Sequence, residues 1–485
     1  MRCRQGVAMT RKKVVLINPK TVSKYYHFTS GGVDRLFEWF FRMYYDGRFQ
    51  VPSHAYCTVM PPVTLYALAA LFESRCEVSL ADEQVEQVDY DMEADLVCVT
   101  STTPQILRAY EIAQHFRARG VHTAVGGAHA TCLPDECARH FDTVCVGEAE
   151  GYIGELVNDL YAGGLKPRYV NRTIVSMADV PFYSYEIGGG RYLPFHVINF
   201  SRGCAFRCDF CSIQTVQGGY RTRPVDKVVE RIEAVGSRNL WFPDATLTGD
   251  PQRARELFAA LAPLRVRWTG QITMNVARDE RMLDLMAESG CWLAGIGFES
   301  LSKLNIEAAH KTHNRVEDYA RVLKALHDRN IAVEGDFVFG FDDDHEGAFD
   351  ATARFVLETG VDLPEFYVLT PYPGTALHRR LHAEGRIVDW DWSHYDNTHF
   401  QHLPVYQPKH MSREALREGC RRAERRVYSL PGTLRRIAGA RVMRAPVLIA
   451  NSVYARRLIR GGDLTPLGEA RTREQRQTTP ADRIQ

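Results

Sequence analysis

Three thiols stand within eight residues in the run Ser201-Arg202-Gly203-Cys204-Ala205-Phe206-Arg207-Cys208-Asp209-Phe210-Cys211. The spacing, Cys-x3-Cys-x2-Cys, lets one loop wrap three thiolates around a face of an iron–sulfur cube. A four-iron cluster takes four ligands, ordinarily cysteines. Three cysteines with no fourth nearby leave one iron open to a ligand that is not protein. A structural zinc site or a disulfide knot is the competing reading. Zinc wants a second Cys or His pair at a matching distance, and none follows in the next fifty residues.

The loop comes directly after the apolar run 195–200 and opens a series of strands and helices. Six strands are expected, at 197–200, 239–242, 266–271, 293–298, 332–339 and 365–369, with helical patterns at 225–235, 279–289 and 316–329 between them. Six such units predict a partial (βα)6 barrel of the TIM type, with active residues at the C-terminal strand ends. Polar residues fall there: Asp244 after Trp241-Phe242-Pro243, Gln271, Glu299 with Ser300, and the acidic run Asp342-Asp343-Asp344 after Gly340. That run could hold a metal or could cap and complement a helix start.

The triplet Cys204, Cys208, Cys211, with Phe210 just before the last cysteine, resembles the cluster loop of the radical S-adenosylmethionine (SAM) superfamily. The resemblance implies a 4Fe–4S cluster whose open iron chelates the amino and carboxylate groups of SAM. An electron, from a donor such as flavodoxin or ferredoxin, then cleaves the sulfonium to a 5′-deoxyadenosyl radical. The resemblance also places Glu299 at the ribose hydroxyls and Asp244 near the amino group. It puts the stretch from Gly335 to Gly340 under the adenine, and adds Gln271 and Phe210 as further cofactor contacts. Asp244 stands where the superfamily commonly has Gly-Gly-Glu. The stiff turn Thr370-Pro371-Tyr372-Pro373-Gly374-Thr375 matches one common in cobalamin-binding members.

Upstream, residues 12–165 carry short apolar runs at 14–19, 76–81, 96–100, 123–127 and 143–147 that alternate with helical patterns. Such alternation predicts a doubly wound, Rossmann-like parallel sheet, which binds ligands beyond its carboxyl strand ends. Those ends hold Ser101, Thr102, Gly126 and Gly127. Glycines there let a large ligand approach the backbone. Residues 125–131 and 146–150 resemble the cobalamin-binding domain found before many radical SAM enzymes. The Asp-x-His-x-x-Gly motif that supplies a cobalt ligand in some cobalamin proteins is missing, and His129 is either a ligand or a plain solvated or hydrogen-bonded loop residue. A degenerate sheet that binds nothing is the alternative.

Residues 166–191, rich in Pro, Tyr, Ser and Gly, read as a linker to the barrel at 192–400. Trp390, Trp392, Tyr395 and His399 are expected to close the open side of the barrel. Residues 401–485 form a helical, arginine-rich extension with a polar, disordered tail from Arg471. Arg421, Arg422, Arg425, Arg426, Arg435, Arg436, Arg441, Arg444, Arg456, Arg457 and Arg460, interleaved with runs such as Ala445–Ala450, suit a membrane surface or an acidic partner, or a plain solvated face.

A net charge of +1 over 485 residues gives no global attraction to nucleic acid. Twelve cysteines without framework spacing fit a reducing cytoplasm, and no signal peptide or membrane span is read. The function expected is a cobalamin-dependent radical SAM enzyme that methylates an unactivated carbon of a small molecule, conceivably a secondary metabolite or lipid. A radical SAM cyclase or rearrangement enzyme, or a non-catalytic electron-transfer or sensor protein, are the alternatives.

Overall fold

The computed structural model describes residues 10–20, 61–182, 192, 196–396, 403–439 and 451. Among them are two parallel sheets of six strands. The Gly188-Gly189-Gly190 triplet, His399, the arginines from Arg441 onward, the Ala445–Ala450 run and the polar tail lie outside the described residues.

The first sheet contains β1 (Lys13–Asn18), β2 (Glu77–Asp82), β3 (Leu96–Thr100), β4 (His122–Gly126), β5 (Thr143–Val146) and β6 (Arg168–Val170), in the order β2-β1-β3-β4-β5-β6. Successive side chains of a strand point to opposite faces, and the burial follows. Val14 and Leu16 pack with helices α1 (Val63–Phe72) and α3 (Ile153–Ala162). Val15 and Ile17 pack with α2 (Ile106–Ala118) on the other face. The sheet is covered on both sides, so its strands read as continuous apolar runs. Strand β6 is an addition to the five expected. It falls in the stretch read as linker, because its three residues bury only Tyr169.

The second sheet runs β7 (His196–Val197), β10 (Asn239–Phe242), β11 (Arg267–Gln271), β12 (Cys291–Glu299), β13 (Ala332–Phe339) and β14 (Leu363–Val368), each beside its predecessor. This is the wall of the expected partial barrel. Its outer face is packed by helices α4 (Val225–Val235), α5 (Pro251–Leu261), α6 (Glu280–Glu288), α7 (Tyr319–His327) and α8 (Gly347–Thr359). The expected first strand at 197–200 stops early. Beyond it β8 (Ser201–Arg202) pairs antiparallel with β9 (Arg221–Thr222), a small ribbon from which the cysteine loop hangs.

The ends of the barrel wall are sealed by the C-terminal segment. Helix α10 (Arg413–Tyr428) packs on α8 and β14, after the short α9 (Ala376–Ala383). Tyr406 donates its hydroxyl to the Gly340 carbonyl, and Tyr428 donates to the Pro364 carbonyl at 2.6 Å. Several described arginines of this segment bind their own chain. Arg426 pairs with Asp350 at 3.0 Å, Arg422 lies over Phe349, and buried Arg436 donates to the Asp362 carbonyl at 2.9 Å. No helix among the described residues is long and apolar enough to cross a membrane.

The two sheets meet through specific contacts. Tyr66 of α1 packs with Val197, Trp241 and Tyr192. Trp392 donates its indole N–H to Glu136 at 2.9 Å and stands edge-on to His129. The aromatic stretch expected to close the barrel therefore pins the first domain, because the indole finds an acceptor there. Arg202 binds Glu148 at 3.0 Å and Glu150 at 2.9 Å, and Arg221 binds Glu148 as well. These four side chains are largely buried, and they tie the loop after β5 to the ribbon that carries the cysteines. Replacing Glu148 with Gln removes the charge shared by both arginines. An expected loss of about 1–2 kcal/mol would be read as a lowered midpoint in chemical denaturation.

Candidate active site

The cysteine loop is held from several sides. Gly203 takes φ of +77°, and a Cβ there would lie 2.3 Å from the Gly219 carbonyl oxygen, so only glycine fits. The Gln214 amide donates to the carbonyls of Cys204 and Phe206, the latter at 2.9 Å. The Cys211 N–H donates to the Cys208 carbonyl at 3.1 Å. Asp209 N–H reaches the Ala309 carbonyl at 3.1 Å, and Leu377 N–H reaches the Asp209 carbonyl at 2.9 Å. Such tethers fix thiol positions before any metal arrives. Burial pushes the Cys208 thiol up to about 12, against the pull of Lys311. Burial also raises Cys211, with Cys204 adding to the rise. The three sulfurs thus feel one another, and metal binding must displace their protons. Phe210 packs edge-on to Phe341 at 5.8 Å and joins the barrel core.

Asp244 is buried beneath this loop. Its carboxylate accepts the N–H of Phe200 at 3.3 Å and that of Ser201. Burial pushes it up to about 7, against the pull of Ser201, Phe200 and Arg223. Both oxygens are spent on the backbone that turns into the loop.

Glu299 ends β12 with φ of +65°, a costly conformation for a residue with a side chain. The surroundings enforce it. Asn314 donates to the Gly297 carbonyl at 2.8 Å, and Tyr319 donates to the Phe298 carbonyl at 2.7 Å. The carboxylate is buried against the Lys311 ammonium. Burial alone would lower Lys311, yet Glu299 and Cys208 hold it above its ordinary value. This pair lies directly over Gly297, and the Gln271 side chain lies over Gly295. Two glycines on the inner face of β12 thus make room for Glu299, Lys311 and Gln271. Sequence reasoning missed Lys311. A lysine in the polar stretch His310-Lys311-Thr312-His313-Asn314 has the look of a surface residue.

Two glycines expected near the adenine also have packing roles. A Cβ on Gly335 would point at Val361 and Phe298, on the helix side of the sheet, so its small size serves core packing. Gly340 has φ of +103° and a virtual Cβ 2.2 Å from the Tyr406 hydroxyl. It accommodates the C-terminal segment. The acidic run is likewise structural. Asp344 accepts from Gly340 N–H at 2.7 Å and from the Asn305 amide at 2.8 Å, Asp343 accepts from the Ser302 hydroxyl at 2.6 Å, and Asp342 pairs with Arg380 at 2.6 Å and Arg386 at 2.9 Å.

In the first domain the carboxyl ends of β3 and β4 come together. Ser101 N–H donates to the Gly126 carbonyl at 3.0 Å. Gly127, at φ of +99°, sits so close that a Cβ would lie 2.7 Å from the Ser101 carbonyl oxygen. The Ser101 hydroxyl is turned inward to the Thr102 carbonyl at 2.9 Å, while the Thr102 hydroxyl bonds Gln105 at 2.7 Å. Thr102 is exposed at this edge and Ser101 is buried. His129 is wholly buried, with Nδ1 3.3 Å from the Thr103 hydroxyl and Nε2 3.6 Å from Glu136. Its ring lies edge-on to Trp392 at 5.3 Å.

Family models describe residues 198–356 as the radical SAM superfamily and residues 56–157 as a B12 binding domain. The chain is 32% identical over 395 residues to bacteriochlorophyllide d C-12(1)-methyltransferase of Chlorobaculum tepidum, covering 79% of this chain and 85% of that one. The chain belongs to the cobalamin-binding radical SAM enzymes. Bacteriochlorophyllide d C-8(2)-methyltransferase of the same organism is 28% identical over 361 residues, 70% of this chain and 79% of that one. The fold matches that of the radical SAM methyltransferase TsrM from Kitasatospora setae, bound to cobalamin and a 4Fe–4S cluster. The TM-score is 0.59 at 16% identity, over 78% of this chain and 79% of that one. This radical SAM enzyme is a methyltransferase by its relatives, and its cofactors are a 4Fe–4S cluster, SAM and cobalamin. Its residues fit them. Three converging thiols form an incomplete donor set for a four-iron cube. Beside them stand a buried carboxylate and ammonium suited to the polar parts of SAM. His129 beside these strand ends is wholly buried against Thr103, Glu136 and Trp392, so cobalt would be held without that imidazole.

Proposed function

We propose that this enzyme methylates a carbon of a small organic molecule held inside the barrel, on the inner face of β11 to β14. The observation that carries the reading is the meeting of the cysteine loop, Glu299 and Lys311 at one end of that face, with the first domain's strand-end loops clamped to the same ribbon by Arg202 and Arg221. The cofactors supply the radical and the methyl group. The chain supplies positioning and exclusion of water.

In this reading Cys204, Cys208 and Cys211 each hold one iron. Glu299 accepts hydrogen bonds from the ribose hydroxyls of SAM, and Gln271 orients SAM or the substrate over Gly295. Asp244 acts through the backbone, as a positioning residue under the loop. Thr102, Gly126 and Gly127 border the cobalamin, with Ser101 holding them in place. The electron comes from a small reduced protein of the flavodoxin or ferredoxin kind. The two bacteriochlorophyllide d methyltransferases among its relatives favour a substrate of that chemical kind.

Incubating the reduced, reconstituted enzyme with SAM, cobalamin and candidate metabolites should yield 5′-deoxyadenosine together with a product heavier by about 14 mass units, one CH2 in the bookkeeping of methyl-for-hydrogen exchange. Formation of 5′-deoxyadenosine with a product of unchanged or lower mass would refute methyl transfer and point to ring formation or rearrangement. Glu299→Gln should weaken SAM binding by about tenfold, the value of about 1.4 kcal/mol, while cluster absorbance stays. Unchanged SAM affinity would remove Glu299 from the site.

A further inference from the structure

The inner face of the barrel carries a group of acids that the radical chemistry leaves unused. Glu334 and Asp336 are two apart on β13 and share a face, opposite to Val333, Gly335 and Phe337. Asp336 stands in register with Glu365 of β14. One oxygen from each of Glu334, Asp336 and Glu365 lies within 4.8 Å of the others. Two ligands across one Ca2+-sized ion, at about 2.4 Å each, are separated by roughly that distance. The Tyr367 hydroxyl donates to Glu365, which orients that carboxylate.

A second observation points to a missing partner. Asp336 Oδ1 is sealed from solvent and has no hydrogen-bond donor. A sealed acceptor atom left without a partner is costly, and like charges beside it add to the cost, although the three residues are otherwise half-buried. We propose that Glu334, Asp336 and Glu365 form a binding site for a divalent hard cation, set in the barrel wall.

The donor set is all oxygen, which selects Mg2+, Ca2+ or Mn2+ over zinc or copper. Without an ion Glu334 and Asp336 hold their protons more tightly than ordinary carboxyl groups. Burial and repulsion from Glu365 push Glu334 up to about 8, and burial with Glu334 and Glu365 raises Asp336 well above the carboxylate range, with Lys311 pulling the other way. Glu424 of α10 also faces Glu365, and burial pushes it up to about 7. A bound ion would replace those protons and remove the repulsion from the wall that faces the substrate. The site stands on these residues alone and does not depend on which molecule is methylated.

The test uses the full-length chain carrying its oxidised cluster, freed of loosely held metal and titrated with Mn2+ alone. Free Mn2+ is counted by its room-temperature EPR signal. One ion per chain should bind, and excess Mg2+ or Ca2+ should release it. Asp336→Asn should lower the affinity by at least about tenfold, with cluster absorbance showing that the variant is folded. If that variant does not fold, Glu334→Gln provides the same comparison. A chain that binds no Mn2+ at millimolar concentration overturns the proposal, and so does an unchanged affinity in the folded variant.

Discussion

Replacing any one of Cys204, Cys208 and Cys211 with alanine should leave a folded chain that holds no intact 4Fe–4S cluster and forms no 5′-deoxyadenosine. The barrel core does not depend on these side chains. They are half-buried and none belongs to the hydrophobic core, so circular dichroism should be close to that of the unaltered chain. The cluster does depend on them, because three thiolates are all that this loop offers. Buried Cys291 and Cys420 sit in the barrel core, and buried Cys76, Cys137 and Cys145 pack inside the first domain. None of these can move in as a substitute ligand without unpacking its surroundings. The fall in SAM cleavage should be at least about 10³-fold, or 4 kcal/mol and more of lost barrier lowering. Iron and sulfide analysis after anaerobic reconstitution separates the causes. A variant that kept four irons per chain would show that the missing corner is not where the loop geometry places it.

The cysteine triplet was legible because its chemistry is local: eight residues carry the whole donor set. The strands were legible for a related reason. A parallel strand covered on both faces is a continuous apolar run, as in Leu96–Thr100. What could not be read depended on register or on long-range packing. Glu334 and Asp336 are visible as acids two apart in an apolar strand, but Glu365 joins them only because β14 pairs with β13 in one particular alignment. Lys311 becomes a buried ammonium only because Gly297 leaves room under it. Gly335 and Gly340 show the converse. Their pattern suggested a ligand floor, and it gave no sign of the neighbours that demand glycine there, Phe298 with Val361 and Tyr406 with Leu416. The first of those contacts spans a sheet and its helix layer, and the second spans more than sixty positions of chain. Strand β6 was hidden by polarity, since an edge strand with one buried side chain has no periodicity to find.

Lys311→Met should be among the most damaging single changes in the barrel. The side chains of Lys311 and Glu299 are only 12% and 10% exposed, so screening by water is weak. Removing the ammonium leaves a carboxylate enclosed without its counter-charge, at an expected cost of about 3–5 kcal/mol. Methionine fills most of the space, so the loss is electrostatic rather than a cavity effect. Because Lys311 is held above its ordinary value of 10.5, the ion pair is complete through neutral pH. Its contribution should fade only as the pH rises past about 10.5. The unaltered chain and the variant should therefore differ most in chemical denaturation near neutrality and converge in strong alkali. Adding Glu299→Gln to Lys311→Met removes the stranded charge, and the double variant should regain most of the lost stability while still binding SAM poorly. If Lys311→Met proved as stable as the unaltered chain, the ammonium would not be neutralising a buried carboxylate. Failure of the second change to restore stability would instead assign the loss to packing around Gly297.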